Sequence, residues 1–283
     1  MSQTEQDRPS VLQAARDRAR AEVTRQILDT ARRHLATDGA SGLSLRAIAR
    51  ELGVSSSAVY RYVASRDELL TRLMVAAYDA LGVAAETAEA AVGRDDLPGR
   101  WAAVCHAVRA WARAHPHQYA LVYGTPVPGY IAPSATIAPA ARIPTLLLGI
   151  LADATGRLEP TTAEDDVPPH ARRALAPVQS LIPSKVPDAL VERGLMAWAA
   201  LFGTVSFELF GQLHHVVGDE PGDRDAYFAE CVRHWTTLVG INPEQTRRLA
   251  GNPNGHWRPS ARSEDHGEAP GHRDRTILTD PDA

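Results

Sequence analysis

Apolar residues recur along this chain at the spacing of one helix face, and nowhere do they alternate with period two for long enough to build a sheet. Val23, Ile27, Leu28, Ala31 and Leu35 mark a first helix over about 16–37, stopped by Asp38-Gly39. Three short helices are expected between Leu43 and Leu81, followed by a connector over 82–100 that holds Gly93, Pro98 and Gly99. Trp101, Val104, Cys105, Val108 and Trp111 share one face of a helix over 100–114, and Pro116 opens a further turn or two through Tyr123. Pro126, Pro128, Pro133 and Pro139 make 124–139 a loop. A helix is expected over 140–154, and two long ones near 188–217 and 224–239. The fold class is all-α.

This pattern divides the chain. A disordered arm is expected over 1–15, a three-helix module over 16–82, and a larger helical domain over 85–240. Within the larger domain, 155–187 is rich in Pro and charge and reads as a mobile insertion. Residues 241–283 are polar and Gly/Pro-rich, and are expected to form a disordered tail.

The informative run is SLRAIARELGVSSSAVYRYVASRDELL, from Ser44 to Leu70. Ser44 can cap a helix whose inward positions are Leu45, Ile48, Ala49 and Leu52, and Gly53 supplies a sharp turn. Ser55 caps the next helix, with Val54 before it and Val59 at the spacing of a hydrophobic staple. Ser65 and Glu68 make an S-x-x-E capping box for a third. Capped helices joined by a glycine turn in so short a stretch match a helix-turn-helix.

At about 100° per residue, with Val59 facing inward, Tyr62 and Val63 share its side while Ser57 and Arg61 point away, flanked by Ser56 and Tyr60. Such a face suits a major groove, where Arg61 is the candidate for a bidentate bond to guanine. The serine hydroxyls suit phosphate oxygens, and Arg46 and Arg66 are placed to flank the groove. On spacing alone, a capped three-helix cluster is equally compatible with a plain structural bundle.

The same residues resemble the amino-terminal domain of TetR-type (tetracycline-repressor-like) transcriptional regulators. The family's Tyr-x-His-Phe-like element corresponds to Tyr60-Arg61-Tyr62-Val63, with Tyr62 where His is usual and Val63 where Phe is usual. Its Ser-Lys-x-x-Leu start corresponds to Ser65-Arg66-Asp67-Glu68-Leu69, where Arg66 keeps the cation. Downstream, Trp198-Ala-Ala-Leu-Phe202-Gly203 and the run from His115 to Pro133 resemble the class marked by Trp-x-x-x-His-Gly, with Phe202 in place of the histidine. The resemblance implies an effector-binding domain whose last two long helices pair with those of a second subunit. A double-stranded DNA operator, a small hydrophobic effector and a second copy of the chain are the partners expected; no cofactor and no membrane are.

Leu195–Leu213 supports pairing independently, being apolar nearly all round. Trp198, Gly203, Phe207, Phe210 and Gly211 are the candidate interface positions, and a central core helix of a monomer is the competing reading. Trp101, Trp111, Tyr119, Tyr123 and Phe202 are candidate pocket residues, although aromatics at helical spacing commonly serve a core.

Charge refines the picture. The formal net charge of −4 does not advertise nucleic acid, but 1–75 hold 12 Lys/Arg against 9 Asp/Glu, while 76–283 hold 18 against 25. The reader is therefore +3 and the body −7. Cys105 and Cys231 lack metal-knuckle or redox spacing, and the start MSQTEQDRPS has no apolar leader, so a reduced cytoplasmic setting is expected. Glu208, Ser206, Thr204 and Gln212 interrupt the most apolar run, which excludes it as a membrane span. His214 and His215 diverge by about 100° on a helix and do not make a metal pair. No metal site is expected. Ser206 has no G-x-S-x-G elbow, so an enzyme carrying a helix-turn-helix is the minor alternative, alongside a ligand-responsive activator and a non-sensing architectural protein.

Overall fold

The computed structural model describes residues 11–155, 167–180, 186–218, 220 and 222–241, and among these only helices, turns and loops occur. The α-helices are α1 (Val11–Gly42), α2 (Leu45–Glu51), α3 (Ser56–Tyr60), α4 (Arg66–Ala90), α5 (Leu97–Ala114), α6 (Pro116–Tyr123), α7 (Ile137–Ala140), α8 (Arg142–Ala154), α9 (Pro169–Gln179), α10 (Asp188–Leu209) and α11 (Asp223–Leu238), with a 3-10 turn over Ser134–Thr136 leading into α7. No single helix among the described residues is long and apolar enough to cross a membrane.

The reader is built as its periodicity dictates. Ile27, Ala31 and Leu35 of α1 are buried together with Leu45, Ile48, Ala49, Val59, Val63, Leu69, Leu70 and Leu73. Gly39 breaks α1 as expected, at φ 68 and ψ 178, a backbone that residues with a Cβ rarely adopt. The helix starts at Val11, inside the stretch expected to be disordered. Its first turns are held by local bonds such as Gln13 to Asp17 and not by packing.

The largest departure is α4, which is 25 residues long where a short helix and a connector were expected. Ser65 caps it, Glu68 closes the box by accepting from the Ala64 amide at 2.6 Å, and no stop signal follows until Ala91. Gly82 lies inside it, and the Arg142 side chain of α8 occupies the notch left by its missing Cβ. The true connector is 91–96, where Asp96 caps α5. Within one turn, between Leu73 and Ala77, α4 passes from the reader's core into that of the larger domain.

That second core packs α5 and α8 on α4's distal half, α10 on α5 and α8, and α11 on α5 and α10, with Trp101, Val104, Cys105, Val108, Leu147, Ile150, Leu151, Val205 and Phe228 buried. Part of the expected mobile insertion is ordered: α9 packs against α10, burying Leu175, while 156–166 and 181–185 lie outside the described residues. The helix expected over 188–217 ends at Leu209, since Gly211 (φ 85) and His215 (φ 61) turn left-handed. Ile241, expected to begin the tail, is buried against the core. The rest of that tail, 242–283, and the arm residues 1–10 lie outside the described residues.

Candidate nucleic-acid interface

The two helices of the expected reader are capped as their serines require. Ser44 Oγ accepts from the Ala47 amide at 3.4 Å, and Ser55 Oγ accepts from Ala58 at 3.2 Å while lying 3.0 Å from Ser57 Oγ. Gly53 takes φ 67 between them, the left-handed turn that brings α3 across α2. Val59 and Val63 are buried, while Ser57, Tyr60 and Arg61 are exposed and Ser56 and Tyr62 are half-buried. Val59 and Val63 thus face inward and Ser57 and Arg61 outward, as the helix wheel expects. Arg46 is exposed on α2.

Two residues sit differently from the simple expectation. Arg66 is half-buried and donates from Nη2 to the Ala40 carbonyl at 2.8 Å, so part of its guanidinium fastens α4 to the end of α1. Tyr62 lies under the Arg20 guanidinium, 5.4 Å from its ring centroid, and Arg20 also donates to the Arg61 carbonyl at 3.4 Å. Arg20 was not singled out in the sequence, because its neighbours are 41 residues away.

The linkage between reader and body also escaped the sequence. Leu121 of α6, Val127 and Tyr130 come from the larger domain, yet they pack into the reader's core. Tyr130 Oη lies 2.9 Å from the Thr71 hydroxyl on α4. Beside this seam is a cleft of about 450 Å³ lined by Leu35, Gly39, Ala120, Leu121, Val127 and Phe210, among others.

In the larger domain the structure gathers three of the five expected pocket aromatics. Tyr123 and Phe202 rings are 4.3 Å apart at their centroids, and Tyr119 is 5.0 Å from Tyr123 and stacks on Phe202 at 6.4 Å. Burial pushes the Tyr119 phenol up to about 12, against the opposing bond to Ser206, and raises Tyr123 too. Tyr119 Oη lies 2.9 Å from Ser206 Oγ and donates to the Phe202 carbonyl. Ser206 is therefore held by a tyrosine, inside a helix. Trp111 stacks instead on His115, and Trp101 is buried in the core.

The cluster recruits two residues expected at a subunit interface. Trp198 is 5.8 Å from Phe202, and Phe210 is 6.3 Å from Tyr119. The indole nitrogen of Trp198 is buried without a hydrogen-bond partner among the described residues. Met196, Phe207 and Phe210 remain exposed at 55%, 55% and 43%, and a Cβ at Gly203 would meet nothing within 4 Å. The helix expected to bury every face is thus buried on one side and open on the other. Gly211 lies past its end.

Comparison with known proteins agrees with both halves. Residues 27–73 match the family model described as bacterial regulatory proteins, tetR family. Residues 101–235 match the model for a tetracyclin repressor-like C-terminal domain. The HTH-type transcriptional regulator Rv1816 of Mycobacterium tuberculosis is 41% identical over 216 residues, covering 72% of this chain and 88% of its own length. Mb1846 of Mycobacterium bovis, likewise called an HTH-type transcriptional regulator, matches to the same extent. Among solved structures, the regulatory protein SCO4313 superposes with a TM-score of 0.64 at 33% identity, over 78% of this chain and 98% of its own. A Rhodococcus sp. RHA1 protein of unknown function gives 0.54 at 28% identity, over 75% and 94%. With its reader, its helical body and these relatives in accord, the chain belongs to the TetR family of helix-turn-helix transcriptional regulators.

Proposed function

We propose that the chain is a homodimeric repressor, released from a palindromic operator by a small, largely apolar effector. The observation that carries this reading is the exposed face of α3, with Ser57, Tyr60 and Arg61 outward over a capped, glycine-turned α2. Arg61 reads a guanine edge, Ser44, Ser55, Ser56 and Ser57 position the backbone, and Arg46 meets phosphate. Tyr62 supports this face from beneath Arg20. Arg66 serves phosphate only through the N–H groups that Ala40 leaves free.

Pairing is supported by the apolar stripe left open on α10 and α11, where Met196, Phe207, Tyr227 and Leu238 are exposed. A two-fold pair sets the readers about 34–36 Å apart, one turn of DNA, and so calls for a palindrome. For the effector, the Tyr119–Tyr123–Phe202 cluster with the orphaned Trp198 indole favours an apolar molecule carrying one hydrogen-bond acceptor. The likeness to the Trp-x-x-x-His-Gly class rests on Trp198 and Gly203. Leu121, Val127 and Tyr130 are the route by which the body turns the reader. A 100-fold loss of DNA affinity requires about 2.7 kcal/mol of differential effector binding.

The test is a band shift on the gene's own upstream region across a salt series. Sequence-selective, salt-sensitive binding is expected, and Arg61→Ala should relax base preference by about 1–3 kcal/mol at one position of each half-site. Binding that is equally tight to every duplex would overturn the reading.

A further inference from the structure

The first turns of α1 are a helix with nothing packed on it. Leu12 is 72% exposed, and from Gln13 to Glu22 only Ala14 is even half-buried. Yet this stretch continues a face that matters. Ala31, Ile27 and Val23 lie on the side of α1 that covers the reader, and Arg20 and Arg16 extend that same side within about 60° of the helix wheel. The side is apolar where the reader lies beneath it and carries Arg20 and Arg16 where it overhangs, with Asp17 at its other margin accepting from Gln13. Arg20 marks the edge, touching the Arg61 carbonyl and the Tyr62 ring at the end of α3. Arg16 lies one turn beyond, exposed. The helix continues about 14 Å past Arg20 at 1.5 Å per residue.

We propose that this overhang is a second DNA-contact surface, in which Arg16, seconded by Arg20, binds the phosphate backbone beside the groove that α3 enters. The inference rests on the DNA-binding reading and adds a contact outside the helix-turn-helix. Charge complementarity and continuity with the α3 face identify the occupant. The other cations of the stretch are differently engaged. Arg25 is paired with Glu22 and Asp29, and Arg18 points to the other side with Nε on the Ala14 carbonyl. A phosphate contact there would also account for a helix whose exposed end gains nothing from packing.

The experiment enriches a duplex from a random library with the full-length chain, then measures its affinity against salt for single variants. Arg16 supports no packing, so Arg16→Ala and Arg16→Glu leave the fold intact. Loss of one phosphate contact lowers the slope of log K against log salt by about 0.9, which is about a five-fold weaker complex at 0.15 M. Arg16→Ala should show both changes evenly across sequences, Arg16→Glu should lose more, and Arg16→Lys should recover the slope. Arg18→Ala removes the same charge from the other side and should leave the slope as it was. Trimming the flanks of the duplex should weaken the parent and not Arg16→Ala. Unchanged binding by Arg16→Glu would overturn the inference while leaving the DNA reading intact, as would an equal effect of Arg18→Ala. If the parent enriches no duplex, the DNA reading itself falls, and this inference with it.

Discussion

Glu68 closes the start of α4 by accepting from the Ala64 amide, and it also pairs with Arg72 at the next turn. That backbone bond, aided by Arg72, holds its carboxyl below the ordinary carboxylate value. A depressed folded pKa contributes stability that is complete above the unfolded value of 4.5 and is lost as pH falls through the folded one. Glu68→Gln keeps an acceptor for the amide but cannot titrate. Between pH 6 and 3 the parent's melting temperature should therefore fall more than the variant's, and parallel curves would remove this role from Glu68. The box was legible in Ser65-x-x-Glu68 because both partners lie within four residues. Arg66 was not, since the Ala40 carbonyl it serves is 26 residues away and no local pattern couples them. The same holds for Arg20 and Tyr62. Short-range capping chemistry is written in the sequence, whereas a long cation's choice of partner is decided by the fold.

At the scale of elements, α4 is the member shared by reader and body, and Arg142 fastens it. From α8, its guanidinium makes a two-pronged bond to Glu86 at 2.9 and 2.6 Å and donates to both the carbonyl and the carboxylate of Asp79 at 3.0 Å. It reaches across α4 only because Gly82 leaves a notch: a Cβ there would stand 2.5–2.9 Å from the Arg142 side chain. Gly82→Ala should displace the guanidinium while gaining up to about 1 kcal/mol of helix propensity. Arg142→Ala should then cost less in the Gly82→Ala background than in the parent, by about 1–2 kcal/mol in a urea double-mutant cycle. Strictly additive losses would mean that the notch and the arginine are unconnected. The sequence reading ends this helix by Leu81 and puts a connector over 82–100 on the strength of Gly93, Pro98 and Gly99, with no role for Gly82. Its actual role depends on an arginine 60 positions later. The Arg142 latch has no local pattern to announce it, because its partners on α4 lie some 60 positions earlier. By contrast α3, whose burial is fixed by Val59 and Val63 under a local glycine turn, lies as the periodicity predicts.

At the scale of the whole molecule, the reader carries +3 and the remainder −7, and the open apolar stripe of α10 and α11 sits on the acidic part. Two acidic bodies meeting on such a stripe must bury it well, because their net charge opposes association. Met196 and Phe207 are each 55% exposed, so charging them should alter the fold of a single chain by no more than about 0.5 kcal/mol. In a dimer the same charges would be buried without partners, at a cost of several kcal/mol. Met196→Glu with Phe207→Glu should therefore sediment as a monomer, while its far-ultraviolet dichroism stays that of the parent. The parent's melting temperature should rise with protein concentration and the variant's should not. On DNA, the variant should bind a full palindrome no more tightly than a single half-site, since its two readers are no longer held one turn apart. A variant that still sediments as a dimer would move the interface off this stripe. One that is monomeric yet keeps the parent's preference for the palindrome would show that spacing is read without pairing, and the two-fold mechanism would have to be abandoned.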